Sequence, residues 1–310
     1  MILEDAMRQT CVMPALTRAC MRGAAMLTLA LAPLMAAAQT PAAPAPAAAA
    51  TAKAYGFNVL NQRTIALTAE YWNPIITYVS KKSGVPLELK LSKNAREGNA
   101  IAEKGGYDFL YTNHFFTPER DGLGFHVIAR PLGPGVNAQI VVPSDSPIRN
   151  LQDLEGKEVG FVSPDGFTGF WVPQDTLLRA KVTVKGSFTG NQEASVAQLK
   201  IGKIAAAGVN GLVLERYARR EGFAYRTLWT SPTFPDLCIM AHERVPADKV
   251  AAEKAALAGM GKDAEGRKVL ETSAAVIKAT GELGFAASDD REYDSYRNFY
   301  KTTLVKKPQQ

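Results

Sequence analysis

The residues best suited to bind a ligand lie together in one loop, Ser163-Pro164-Asp165-Gly166-Phe167-Thr168-Gly169, between a predicted strand and a predicted helix. Its small residues let a ligand approach the backbone N–H groups of the first helical turn. Those groups and the helix dipole together favour an anion. The same sequence is also typical of an ordinary N-cap, formed by Ser163 or Asp165 and followed by a glycine turn. The loop alone therefore permits an anion site without requiring one.

Three more loops follow predicted strands, at residues 61–64, 111–114 and 190–192. In open α/β sheets, ligands bind outside the carboxyl ends of strands and close to helix N-termini. The second of these loops contains His114, which is equally consistent with lining a site and with a purely structural role. We therefore expect these loops to meet the Ser163–Gly169 loop at one cleft.

Motifs of catalysis and metal binding are absent from the sequence. There is no G-x-S-x-G nucleophile elbow, no H-E-x-x-H motif and no P-loop. His114, His126 and His242 are too far apart along the chain for zinc-ligand spacing. These observations disfavour an enzyme, although two carboxylates brought together by folding would leave no motif. We predict no catalytic residue, no metal and no cofactor.

Short apolar strands alternate with amphipathic helices from residue 55 onward. The pattern predicts strands at 55–60, 87–91, 107–110, 138–142, 159–162, 182–184, 205–209 and 237–240, and helices at 68–82, 95–104, 168–180, 192–200 and 211–219. Beyond Pro246 it becomes helical, at 247–257, 264–279 and 291–303. This order predicts an α/β fold with mainly parallel sheets, and 310 residues are enough for about two domains.

The N-terminal segment has the pattern of an export signal. Arg18 and Arg22 precede an apolar run, 23–38, that ends in small residues, as in a secretory signal peptide cleaved near Ala38. The run is too short for a membrane-spanning helix, which needs about 20 apolar residues. Residues 39–54 are almost all Ala, Pro and Thr and predict a flexible linker. A single cysteine, Cys238, follows residue 38, so we expect no internal disulfide.

The charge of the chain is weakly basic and evenly distributed. Thirty-six Lys and Arg against 30 Asp and Glu give a net charge of +6, and no run of like charges exceeds a pair. A nucleic-acid-binding protein normally concentrates its positive charge in a patch or an arm. We therefore predict no nucleic-acid partner.

Several short segments occur in a characteristic order along the chain: Ser146-Pro147-Ile148, Leu151-Gln152-Asp153-Leu154-Glu155-Gly156-Lys157, Ser163–Gly169, Pro173, Phe188-Thr189-Gly190, Ser231-Pro232 with Pro235, and Gly284-Phe285. In this order they resemble the phosphate/phosphite/phosphonate-binding proteins of ABC importers. The resemblance extends over essentially all of residues 55–303. It implies a two-lobed type II periplasmic binding protein fold, with two mixed, mostly parallel sheets joined by two crossover strands. Lobe I would comprise residues 55–142 and 233–310, and lobe II residues 143–232.

The resemblance also implies roles for particular residues. The family places Ser-Thr-Ser-Gly at the helix mouth, where hydroxyl and N–H groups hold the oxyanion, and residues 166–169 here read Gly-Phe-Thr-Gly. A family histidine corresponds to Gln192, and a family aspartate to Ala205. A family tyrosine of the first-lobe turn falls at about Thr112, next to Tyr111. Only one of the three helix-mouth hydroxyls is thus retained.

These departures reduce the number of donors available to an anion, and Asp165 is expected to repel one. Backbone N–H groups remain, and Arg96 either offers a bidentate fork to an oxyanion or lies on a solvated helix face. The complete set of predicted ligand-binding residues is Asn61, Arg96, Tyr111, Thr112, Asn113, His114, Ser163, Gly166, Phe167, Thr168, Gly169 and Gln192.

The resulting prediction is an exported, monomeric solute-binding protein of the periplasm. It would capture a small polar solute, an oxyanion related to phosphonate or phosphite, between its lobes for import by an inner-membrane ABC permease. The alternative is a periplasmic sensing protein that serves a sensor kinase and binds a ligand outside the phosphonate class.

Overall fold

A computed structural model describes residues 53–306 of the chain. The predicted signal peptide, 1–38, and all but the last two residues of the predicted linker lie outside this range. Within the described part of the chain, no helix combines the length and apolarity needed to span a bilayer.

Residues 53–306 contain eleven strands and eight α-helices. The strands are β1 Tyr55–Val59, β2 Leu87–Lys90, β3 Phe109–Thr112, β4 Phe125–Pro131, β5 Ala138–Pro143, β6 Glu158–Phe161, β7 Lys185–Phe188, β8 Ala206–Asn210, β9 Tyr225–Thr230, β10 Cys238–His242 and β11 Phe285–Ala287. The helices are α1 Ile65–Ser83, α2 Ala95–Glu103, α3 Val172–Arg179, α4 Gln192–Lys200, α5 Gly211–Glu221, α6 Ala247–Gly259, α7 Ala264–Val276 and α8 Asp294–Thr302. A π-helical turn, Phe167–Trp171, leads directly into α3.

The strands form two mixed sheets, which confirms the predicted two-sheet α/β fold. The first has the order β11-β4-β10-β3-β1-β2 and the second the order β7-β6-β8-β5-β9. Four of the nine strand pairings are parallel, a smaller share than predicted. Each sheet contains a strand that forms where the chain arrives from the other sheet, β5 in the second sheet and β10 in the first. These two strands run antiparallel to both of their neighbours.

The sheet pairing corrects the predicted boundaries of the two lobes. Strand β5 pairs with β8 and β9, so residues 138–142 belong to lobe II and not to lobe I. The apolar run in β5 would suit a buried strand of either lobe. The segment after α8 also joins lobe II, because Thr303 and Leu304 donate hydrogen bonds to Asp175 of α3 at 2.9 and 2.7 Å.

Two segments, 132–137 and 231–237, connect the lobes. They pair with each other through a short antiparallel bridge in which Val136 and Phe234 exchange two hydrogen bonds of 2.8 Å. Gly135 precedes the bridge with φ +93°, and a Cβ there would lie 2.2 Å from the Phe234 carbonyl oxygen. Only glycine therefore allows the two connections to approach this closely.

Apolar side chains cover both faces of each sheet. In β3, Phe109 and Tyr111 belong to one core cluster, with α1, α6 and α7, and Leu110 belongs to the other. This alternation follows from the two-residue period of a strand. Helix α8 contacts both lobes, because Tyr296 packs in the lobe I core and Phe299 and Tyr300 pack against a lobe II cluster.

The predicted strand at 182–184 covers the three residues immediately before β7. Val182 is buried and donates its N–H to the Leu177 carbonyl at 2.9 Å, so it completes the end of α3 and does not pair in the sheet. Strands β4, β9 and β11 were not predicted.

Three asparagines fix the helix starts beside the cleft. Asn94, Asn191 and Asn210 cap α2, α4 and α5 through their side-chain oxygens. Each lies at or just beyond the carboxyl end of a strand, so the cleft is lined by helix N-termini.

Candidate functional site

A cavity of about 30 Å³ lies between the lobes, at the carboxyl ends of β1, β3, β6 and β7. Eight of the twelve predicted residues line it: Asn61, Asn113, His114, Ser163, Gly166, Phe167, Thr168 and Gln192. A water molecule needs at least about 10–15 Å³, so the space admits only a very small solute. Every residue that lines the cavity is uncharged at neutral pH.

The Ser163–Gly169 loop presents unpaired donors at this cavity. Within residues 53–306, no acceptor pairs with the N–H groups of Phe167 and Thr168, since the π-helical turn closes only through a bond from Trp171 N to Gly166 O (3.0 Å). The Ser163 hydroxyl is buried without a hydrogen-bond partner. Gly169 does not line the cavity, but a Cβ there would lie 2.4 Å from Val162 Cγ2. Glycine at 169 thus lets the turn pack against the end of β6.

Gln192 is held in place at the N-terminus of α4. Its Oε1 accepts a hydrogen bond from Asn210 N at 2.8 Å, which leaves its Nε2 directed at Thr168 Oγ1, 3.5 Å away. This amide–hydroxyl contact is long for a hydrogen bond. Both groups therefore keep hydrogen-bonding capacity for a ligand.

On the lobe I side, two asparagines face the cavity. Asn61 donates to the Ser92 carbonyl at 2.5 Å, and its own Oδ1 is buried without a partner. Asn113 Nδ2 donates to Tyr296 Oη at 3.3 Å, which links the site to α8. Lobe I thus adds amide groups but no formal charge.

His114 is buried and neutral. Burial lowers the pKa of its imidazole to about 4. Asn99 Nδ2 donates to the Nδ1 atom at 3.1 Å, and this hydrogen bond assigns the ring proton to Nε2. His114 therefore contributes an N–H donor and no positive charge at neutral pH.

Asp165 faces away from the cavity, contrary to the expectation that it repels an anion. Its Oδ1 accepts from Arg120 Nη1 at 2.7 Å and its Oδ2 from Asn99 Nδ2 at 3.1 Å, and both partners belong to lobe I. Burial opposes ionisation, but His114, Arg120 and the two hydrogen bonds hold the pKa of the carboxyl below its usual value. Asp165 therefore ties the lobes together. Sequence reasoning missed Asn99 and Arg120, since neither has a local motif.

The remaining predicted residues lie away from this cavity. Arg96 is exposed on α2, whose buried face carries Gly98, Asn99 and Ala102. Of the two alternatives for Arg96, the structure therefore shows the one in which it lies on a solvated helix face. Tyr111 and Thr112 are buried in β3 and line two neighbouring pockets.

Phe167 lines the cavity, but its ring belongs to an aromatic cluster. The ring lies 4.2 Å from that of Tyr296 and 4.8 Å from that of Phe234, between ring centroids, and also contacts Phe299 and Tyr300. The family has a hydroxyl group at this position of the helix mouth. Here the Phe167 ring packs lobe II against α8 and supplies no hydrogen-bond donor.

Two α/β lobes, two paired connections and a polar cavity at the strand ends define a two-lobed solute-binding protein. The sequence pattern described as "ABC transporter, phosphonate, periplasmic substrate-binding protein" matches residues 57–293. The chain belongs to this family, whose members bind substrates for transport and are not enzymes. The resemblance inferred from the sequence is thus confirmed.

Solved structures share the fold at low sequence identity. A binding protein of an ABC phosphonate transporter from Pseudomonas aeruginosa is 17% identical with a TM-score of 0.68, over 79% of this chain and 85% of that one. A Prochlorococcus marinus protein in complex with methylphosphonate is 16% identical with a TM-score of 0.67, over 80% and 97%. A Xanthomonas citri protein bound to chloride ion is 15% identical with a TM-score of 0.63, over 80% and 96%. No curated protein matches the sequence.

Proposed function

We propose that this chain is an exported binding protein that captures a small oxyanion related to phosphonate or phosphite and delivers it to an inner-membrane ABC permease. The observation that carries the proposal is the set of unpaired donors at the cavity, namely the N–H groups of Phe167 and Thr168 and the Ser163 hydroxyl. A desolvated oxyanion needs such donors on several oxygens at once. Family membership and the methylphosphonate held by the Prochlorococcus marinus protein support the same ligand class.

The uncharged lining also favours one ionisation state of the ligand. Among residues 53–306, no lysine or arginine lines the cavity, so neutral dipoles, the π-helical turn before α3 and the N-terminus of α4 must balance the ligand's charge. The cost of desolvating an ion rises steeply with its charge, and a buried charge needs full compensation. The cavity therefore suits a singly charged oxyanion better than a dianion.

Delivery follows from the two-lobed fold and the predicted export signal. Ligand binding between lobes commonly closes them about the connecting segments, here 132–137 and 231–237. The closed form is the species that a permease would recognise.

A thermal-shift screen of residues 39–310 tests the ligand class directly. The panel contains phosphate, phosphite, methylphosphonate, sulfate, a sulfonate and small carboxylates. A ligand present at 100 times its dissociation constant stabilises the protein by about 2.7 kcal/mol, which raises Tm by about 5–10 °C. We expect such a shift with phosphite or methylphosphonate. A folded protein that none of the oxyanions stabilises would contradict the proposal.

Substitution of the loop hydroxyls is expected to weaken oxyanion binding. Ser163→Ala and Thr168→Ala should each lower the affinity for methylphosphonate about tenfold, because each removes one hydrogen bond to a charged ligand. Calorimetric titration measures the change. Thr176→Ala is the matched control, since that hydroxyl donates to the Val172 carbonyl within α3 and does not line the cavity. Unchanged affinity in both loop variants would remove this loop from the site.

A further inference from the structure

A second pocket of about 30 Å³ lies between the lobes, on the other side of the segment that follows β1. Leu60 and Gln62 line both this pocket and the cavity at Ser163. Arg63 enters the pocket from lobe I and Arg216, on α5, enters from lobe II. We call it the arginine pocket. It differs from the first cavity in carrying formal positive charge.

Both arginines have guanidinium N–H groups with which no acceptor in residues 53–306 pairs. Arg63 is 8% exposed, and its Nε and Nη2 atoms are buried without a hydrogen-bond partner. Its ion-pair contact is with Glu193 at 3.5 Å, too long for a hydrogen bond. The Nε atom of Arg216 is likewise buried without a partner. A buried guanidinium with unpaired N–H groups is costly, and an added acceptor would remove that cost.

The surrounding carboxylates do not neutralise the pair. Glu193 is already engaged with Arg220 through two hydrogen bonds of 2.8 and 2.9 Å. Asp236 lines the pocket, but neither arginine approaches it within ion-pair distance, and its Oδ1 accepts from Leu237 N at 2.7 Å. Two arginines against this one carboxylate leave the lining with a surplus of positive charge.

The donor geometry points to an acidic ligand group. A guanidinium presents parallel N–H donors that match the oxygens of a carboxylate or a phosphoryl group. Because the two arginines come from opposite lobes, one bound acidic group would contact both lobes. We propose that the arginine pocket binds a carboxylate or phosphoryl group as a second anion site of the interlobe cleft, distinct from the oxyanion cavity at Ser163.

Titration of the complete protein with four acids tests the arginine pocket. The probes are phosphate, methylphosphonate, succinate and phosphonoacetate, and the variants are Arg216→Gln and Arg63→Gln. We expect each variant to lower the affinity for phosphonoacetate or succinate at least tenfold. Arg219→Gln is the matched control, because Arg219 lies on the same helix, is exposed and pairs with Glu215, and the variant changes the charge equally. It should leave every affinity within twofold of the wild type.

Several outcomes separate this proposal from the function proposed for the first cavity. Affinities of both arginine variants within twofold of the wild type for all four acids would overturn the arginine pocket, as would a wild-type protein that binds none of them. If Arg63→Gln fails to fold, the half-buried Arg216 carries the test through Arg216→Gln. A loss with the arginine variants but none with either Ser163→Ala or Thr168→Ala would support the arginine pocket and reject the first cavity. The reverse result would reject the arginine pocket alone.

Discussion

Replacement of Asp165 with alanine is expected to weaken methylphosphonate binding by about 10- to 100-fold and to open the lobes in the absence of ligand. Asp165 belongs to lobe II, while Arg120 and Asn99, which donate to it, belong to lobe I. Asp165 and Arg120 are each 7% exposed. Loss of a buried ion pair typically costs 3–5 kcal/mol, but Arg120 keeps its contact with Glu103, so about 1.5–3 kcal/mol is expected here. That energy stabilises the closed form, and about 1.4 kcal/mol corresponds to a tenfold change in affinity.

Calorimetric titration and small-angle X-ray scattering together check this expectation. The variant should show a larger radius of gyration than the wild type without ligand. Asp145→Ala serves as a control, because Asp145 is an exposed carboxylate of lobe II. A variant with wild-type affinity and wild-type scattering would show that the Asp165–Arg120 pair does not hold the lobes closed.

The free energy of unfolding is expected to fall by about 2–4 kcal/mol between pH 5 and pH 8, because of one buried carboxyl group. Glu253 on α6 is 0% exposed, and both of its carboxyl oxygens lack a hydrogen-bond partner. Burial raises its pKa to about 8, and the nearby Ser83 hydroxyl offsets this only in part. In the unfolded chain the group titrates near pH 4.3, so the folded state binds more protons between the two values. The stabilisation is therefore complete below about pH 4.3 and is lost as the pH rises toward 8.

Denaturant unfolding at several pH values, with the wild type and Glu253→Gln side by side, measures this effect. The amide does not titrate, so the difference between the two pH profiles isolates Glu253 from the histidines. Glu271→Gln is the control for an exposed glutamate, and its profile should follow that of the wild type. Parallel profiles for wild type and Glu253→Gln would mean that the carboxyl is ionised in the folded protein at neutral pH.

Much of the fold follows from local sequence patterns. Helix α4 was predicted with the bounds that the structure shows, because an asparagine cap and an apolar face are both encoded within the ten residues 191–200. Strands β4 and β9 were missed because polar or proline residues weaken their apolar pattern, and β11 was missed because it is only three residues long. The assignment of β5 to lobe II also needed the structure, since pairing partners lie far apart in sequence.

The candidate site likewise combines features that local sequence predicted with contacts that only the structure showed. Loop positions after strands were predictable, and eight of the twelve predicted residues line one cavity. The sequence left two alternatives open for Arg96, because helix periodicity alone did not show which face of α2 is buried. Asp165 was expected to repel an anion because its partner, Arg120, is 45 residues away and belongs to the other lobe.

The sequence by itself therefore determined the fold class, the family and the loops that surround the cleft, because helix caps, glycine turns and apolar periodicity act over a few residues. Tertiary structure decided which charges are neutralised and which remain free. Asp165 forms an ion pair with Arg120 across the cleft. Arg63 and Arg216 line one pocket, and each keeps at least one buried N–H group that has no acceptor within residues 53–306. Such long-range electrostatic pairing depends on how two separate lobes are brought together, and no local pattern encodes it.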